Sequence, residues 1–369
     1  KANTGAPRPQ GVSSIAEPAA PIGPTGSPLP DGFRPVDVSL LGDGEGWALG
    51  SVPCTDGLCT TLARTRDGGD TWRRVPAPPL ALPATIQIDP VLSGCNQIVC
   101  VSHVAFATPK IGYVSNGWQL FMTTDAGTTW QEQADAGAAL AIGSATVWRS
   151  IDQNRSECAQ ACRLHLQSSA IGTSTWQDLT LPSGVDSGTG IDLARRDTHA
   201  ALVIYIGTRS SLITTTDDGA TWAVRGNVCP QDHGAMDMLS PVIAADQSAT
   251  LLCRPADAPG TGLMTVTSTD GGATFHPSAT FGPASGYLAG AASAQVLFAD
   301  TDRLYRSADA GATWQPVSLG AVARPQAFVI RFTTATTGIV LVRDAAGAVS
   351  PTIWATTDAG STWHARTFP

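Results

Sequence analysis

Between residues 36 and 75, apolar and polar positions alternate in short runs: VDVSLL (36 to 41), GWALGS (46 to 51), TTLARTR (60 to 66) and TWRRV (71 to 75). Gly, Asp, Pro and Ser part these runs. Alternation with a period of two predicts strands, each with one face turned to a core. The plan returns near the C-terminus as AFVIRF (327 to 332), TGIVLV (337 to 342), TIWATT (352 to 357) and TWHARTF. No stretch repeats its apolar residues at convincing helical spacing. Each period therefore holds four strands, A to D.

One turn marks the periods. TRDGGDTW at 65, TTDAGTTW at 123, TTDDGATW at 215, STDGGATF at 268, SADAGATW at 307 and TTDAGSTW at 356 share the pattern Ser/Thr-x-Asp-x-Gly-x-Thr-Trp/Phe. A seventh copy, SAIGTSTW at 169, lacks the Asp, yet its Trp176 stands 46 residues after Trp130 and 46 before Trp222. An Asp carboxylate can accept amides of its own turn, Gly supplies a backbone angle other residues resist, and the aromatic ring buries beside the sheet. The turn thus reads as a staple between strands C and D, built on Asp67, Asp125, Asp217, Asp270, Asp309 and Asp358. Six of the ten Trp belong to these turns. Seven four-stranded units predict an all-β fold, a seven-bladed β-propeller with four antiparallel strands per blade.

The staple resembles the Asp box, or BNR repeat, of sialidases, sortilin-type receptors, xyloglucan-active hydrolases and photosystem II assembly factors. The resemblance covers about residues 33 to 369. It implies that the boxes lie on a rim away from the ligand face. Those relatives include enzymes and binding proteins, so the resemblance specifies fold and leaves function open.

A net charge of -8 offers no general attraction for nucleic acid or anionic lipid, and the 20 Arg and 2 Lys form no polybasic run. No apolar run reaches the roughly 18 residues of a transmembrane helix. Residues 1–32 read as a flexible tether, with seven Pro and four Gly in the first 30 positions, and 33–369 as one propeller. The chain starts at Lys1, which fits removal of an upstream segment and an N-terminal lipid anchor; the expected location is secreted or on the cell surface. Eight Cys fall as Cys54/Cys59, Cys95/Cys100, Cys158/Cys162 and Cys229/Cys253. Close pairs in an exported chain predict disulfides, although eight Cys allow 105 connectivities. The spacings lack the two-residue knuckle of zinc sites, so no metal is expected.

A strand meander puts A-B and C-D turns on one face of the ring, and B-C turns and D-A crossovers on the other. All four Cys pairs and the longest insertions fall on the face opposite the staples. Candidate ligand-binding residues there are Trp118, Trp148, Arg155, Glu157, Arg209, Asp232, His233 and Arg254, with Arg149, Asp152, Asp237 and Asp257 beside them. Such a ring of Arg, Asp, His and Trp suits a glycan or peptide, held by hydrogen bonds and aromatic stacking.

Catalysis finds less support. FRPV at 33 only approximates the Phe/Tyr-Arg-Ile-Pro motif of sialidases, and of four Glu only Glu157 reaches the candidate face. A generic glycosidase needs two carboxylates roughly 5 to 9 Å apart, and no Asp stands in a recognisable catalytic motif. QDHGAMD at 231 is a weak metal signal. The expectation is a monomeric, cofactor-free binding or assembly module for a glycan or protein partner, with a glycoside-hydrolase-like enzyme as the alternative.

Overall fold

The computed structural model describes residues 26–55, 57–80, 103–117, 119–135, 139–151, 162–188, 190–206, 209–230, 236–255, 262–282, 286–320, 322–343 and 349–368. These residues form seven four-stranded antiparallel sheets, each built from consecutive segments of chain. A two-stranded ribbon is added where Cys162–Arg163 pairs with Ser187–Gly188. The first strands of the blades are Arg34–Leu40, His103–Phe106, Ala139–Ile142, Gly190–Arg196, Met236–Ile243, Tyr287–Ala291 and Gln326–Phe332. Each touches the next from blade 1 to blade 7, and Arg331 of the last bonds Asp37 of the first, so they surround the axis. The fourth strands, two to four residues long, form the outer rim. The sheet count and strand order agree with the sequence pattern.

Because every blade is covered by a neighbour on both sides, both faces of its middle strands carry apolar residues. Between blades 1 and 2, Trp47 stacks on Phe106 with ring centres 3.6 Å apart, and Leu49, Leu62, Val114 and Phe121 complete the seam. The inner strands of blades 1, 5, 6 and 7 each contain a register shift. A bulge turns backbone groups out of their own ladder, and side chains of neighbouring blades take several of them up.

The recurrent turn has one geometry in all six Asp-bearing copies. At residues 123 to 130, the Thr123 hydroxyl donates to Asp125 Oδ1 (2.8 Å) and accepts the Gly127 amide (2.9 Å). Asp125 Oδ1 also accepts the Thr129 amide at 2.8 Å, and Oδ2 accepts the Thr129 hydroxyl at 2.7 Å. The same bonds recur around Asp67, Asp217, Asp270, Asp309 and Asp358. Two consecutive residues lie in the left-handed region, such as Ala126 (φ 64°) and Gly127 (φ 89°), which accounts for the glycine. In the copy without Asp, the Ser169 and Thr173 hydroxyls bond each other at 3.0 Å instead.

The turn carboxylates are acidified by these donors. The Thr221 hydroxyl, its amide and the Thr215 hydroxyl hold Asp217 at about 2, against an ordinary value of 3.8. A lowered carboxylate stabilises the fold above its unfolded value, so this contribution is lost as the pH falls from about 3.8 toward about 2. Asp125→Ala is expected to lower stability by about 1 kcal/mol for each turn bond lost. Urea unfolding measures this, and a change below 0.5 kcal/mol (~0.5) would contradict a stapling role.

Among the described residues, no strand is shared between the first and last blades. Blade 1 begins at Arg34 and blade 7 ends with the strand His364–Thr367. Side chains close the ring. Phe368, 3% exposed, lies 4.8 Å from Phe33 and 5.0 Å from Trp72, ring centre to ring centre. Leu29 joins the same cluster. Residues 26–28, which composition assigns to the tether, run along the outer strand of blade 1: Gly26 donates to the Arg74 carbonyl (2.7 Å) and Arg74 to that of Ser27 (2.9 Å).

Candidate functional site at the disulfide-bearing face

Two expected disulfides are formed. Cys54–Cys59 closes the hairpin between the second and third strands of blade 1, and Cys229–Cys253 ties the crossover after blade 4 to the second strand of blade 5. Both lie on the face opposite the Asp turns. Cys95, Cys100 and Cys158 lie outside the described residues, as do Trp118, Asp152, Arg155, Glu157, Asp232, His233 and Asp257; nothing is described of the Cys162 side chain.

Of the remaining candidates, Arg209 is exposed at the start of the third strand of blade 4, and Arg254 is the last residue but one of the second strand of blade 5. Arg254 and Asp237 are register partners on adjacent strands, with Nη2 to Oδ2 at 3.5 Å. Trp148 is a correction. It is 0% exposed, packed 5.7 Å from Trp222 and beneath the Arg195 guanidinium at 4.2 Å. Second strands start at the Asp-turn face, and Trp148 is the third residue of its strand, so it fills the seam between blades 3 and 4 and presents no surface to a ligand.

Arg149 is likewise interior. Its guanidinium stacks 4.1 Å over Trp176 and donates to Gln167 Oε1 and the Ala134 carbonyl. Burial lowers its pKa to about 10, the Asp135 charge opposing. Alternation places such residues against one neighbouring blade or the other, which a single strand's pattern does not reveal.

The same face holds a cluster that sequence reasoning missed. Tyr287 and Asp300 are register partners in blade 6, and both reach Ala327 in the inner strand of blade 7. Asp300 Oδ2 accepts the Ala327 amide at 2.5 Å, and the Tyr287 hydroxyl donates to the Ala327 carbonyl. The register shift between Ala327 and Val329 coincides with these contacts. Burial pushes the Asp300 carboxyl up to about 7; Asp302 adds to this, while the Ala327 amide and Arg343 oppose it. Burial, aided by the Asp300 charge, also raises the Tyr287 phenol. In the adjoining turn, Asp302 accepts from Tyr305 (3.1 Å) and pairs with Arg303 (3.5 Å). A usable signal was present: three of the four Tyr, at 205, 287 and 305, stand at strand ends on this face.

The axis differs between its two ends. At the Asp-turn end, Arg196 of blade 4 reaches across to blade 7, donating to the Phe332 carbonyl (2.9 Å) and the Thr333 carbonyl (2.6 Å). Burial lowers its pKa, with Asp197 and Asp246 opposing. This cross-tie narrows that end of the channel. On the opposite face of the ring, Arg34, Arg209 and Arg324 are exposed and make no ion pair among the described residues. Also among the described residues, no group of three or more His, Cys, Asp or Glu is disposed to hold a metal ion.

No protein-family model matches the chain, and no curated protein matches it in sequence. Solved structures do. YCF48 bound to a D1 peptide superposes with a TM-score of 0.52 at 16% identity, over 93% of this chain and 99% of that one. YCF48 from Cyanidioschyzon merolae gives 0.56 at 15%, over 91% and 99%. An ancestral GH74 enzyme gives 0.53 at 12%, over 93% of this chain and 45% of the enzyme. At these identities the likeness is one of fold.

Proposed function

We propose that the chain is an exported, non-catalytic binding or assembly module that recognises a segment of a protein partner with its disulfide-bearing face. The carrying observation is the contrast between the two faces. The six turn carboxylates are satisfied inside their own turns, whereas Arg34, Arg209 and Arg324 stand exposed without an ion pair among the described residues. Exposed guanidinium groups with free donors suit carboxylate or backbone carbonyl acceptors of a peptide. Disulfides hold the surrounding loops, which lowers the entropy lost on binding, and they support an oxidising compartment.

The turns have the features of Asp boxes, and we read the blades as BNR-type repeats. The whole-chain likeness to a propeller bound to a peptide supports a binder over an enzyme, because the likeness to the GH74 enzyme spans under half of that protein. The test is a peptide array and a glycan array, followed by titration calorimetry and by hydrolysis assays on the same sample. A peptide ligand is expected to lose about tenfold in affinity with Arg209→Ala, about 1.4 kcal/mol, and nothing with Asp125→Ala. Binding confined to glycans would redirect the proposal to a lectin-like module. Turnover of a glycoside would replace it by the hydrolase reading.

A further inference from the structure

Blade 6 grips blade 7 through both polar groups of a single residue, Ala327, and one of the gripping side chains is a carboxyl that is 2% exposed. Among the described residues, the charged or titratable groups facing it are few. Tyr287 comes from the neighbouring strand, Asp302 from the adjoining turn and Arg343 from the second strand of blade 7, its guanidinium 5.9 Å from the centre of the Phe328 ring. A buried carboxylate requires either a counter-ion or water. Among the described residues, Arg343 is the cation that acts on this carboxyl, and its effect is smaller than that of burial.

We propose that this seam is a proton-operated latch at the mouth of the propeller: neutral Asp300 holds Ala327 with Tyr287, and loss of its proton leaves a charge that the dry seam solvates poorly, which loosens it. The linkage runs opposite to that of the turn aspartates. A raised carboxyl stabilises the fold most below about 3.8, and this contribution is lost as the pH rises to about 7. The latch bears on partner binding only through the reading of this face as the binding face, but it exists in the unliganded protein and is tested there.

The experiment is a carbon-13 titration of the aspartate carboxyls in the ligand-free full chain, with hydrogen exchange measured in parallel. One carboxyl is expected to titrate near 7, and its signal should vanish in Asp300→Asn. Amide protection over 326–332, corrected for intrinsic exchange, should fall about tenfold between pH 6 and pH 8 (about one unit either side of the midpoint) in the native chain. In Asp300→Asn it should stay level. Tyr287→Phe should lower protection at both pH values and leave a midpoint in place. No aspartate titrating above about 5 would overturn the latch, as would equal pH dependence in Asp300→Asn and the native chain. Should Asp300→Asn fail to fold, the native titration still decides. Peptide affinity across the same pH range is a separate readout: loss of its pH dependence with an intact titration would count against the binding face and not against the latch.

Discussion

Asp37→Ala is expected to destabilise the protein by about 3–5 kcal/mol, the cost typical of removing one partner from a buried charged network. Asp37 is 0% exposed on the inner strand of blade 1, yet it takes partners from both neighbouring blades. The Arg331 guanidinium of blade 7 donates to it at 2.9 Å, the Val104 amide of blade 2 at 3.0 Å, and the His103 ring lies 3.4 Å away. Burial raises its pKa, but the Arg331 charge and the His103 contacts outweigh this and hold it below 3.8. Its contribution is therefore present above that value and lost in acid. Asp37→Asn, which keeps an acceptor for Val104, should cost less than alanine. Denaturant unfolding measures both, and a loss under about 1 kcal/mol for alanine would mean that the three blades do not depend on this hub.

Phe368→Ala is expected to cost about 3–5 kcal/mol, as for other buried Phe-to-Ala changes. The ring fills the seam between the last and first blades, and the Phe368 amide is anchored on the Pro351 carbonyl at 2.9 Å. The same seam carries Arg366, which pairs with Asp70 at 3.2 Å and donates to the Gly68 carbonyl. Hydrogen exchange should then show the strands Arg34–Leu40 and Gln326–Phe332 losing protection before the seam between blades 4 and 5 does. Uniform loss across all blades would indicate that closure is distributed around the ring and not concentrated at its chain ends.

Much of the architecture was readable in advance because its signals are local. The staple's hydrogen bonds join residues two to four positions apart, so their chemistry is written in eight consecutive letters. Cys54 and Cys59 are five residues apart in sequence, and a meander assigns such a hairpin to a face without any tertiary detail. The candidate site was less readable. Trp148 has the residue type of a ligand platform, but its strand direction and the opposing Trp222 of the next blade make it core. Arg149 shares that fate through Trp176. Arg209 and Arg254 do lie on the expected face.

The sequence by itself determined the blade number, the strand order, the turn chemistry and the face that bears the disulfides, since each follows from periodicity or from contacts within a few residues. Tertiary structure alone decided which charged groups meet. Asp37 and Arg331 are 294 positions apart, Arg196 and Phe332 are 136 apart, and Tyr287 reaches Ala327 over 40. The physical reason is that a strand's alternation says only that a side chain leaves one face or the other, while the radial stacking of blades supplies what that face meets. A carboxylate in such a seam is stabilised, raised in pKa or exposed according to the neighbouring blade, and that neighbour is set by closure of the whole ring.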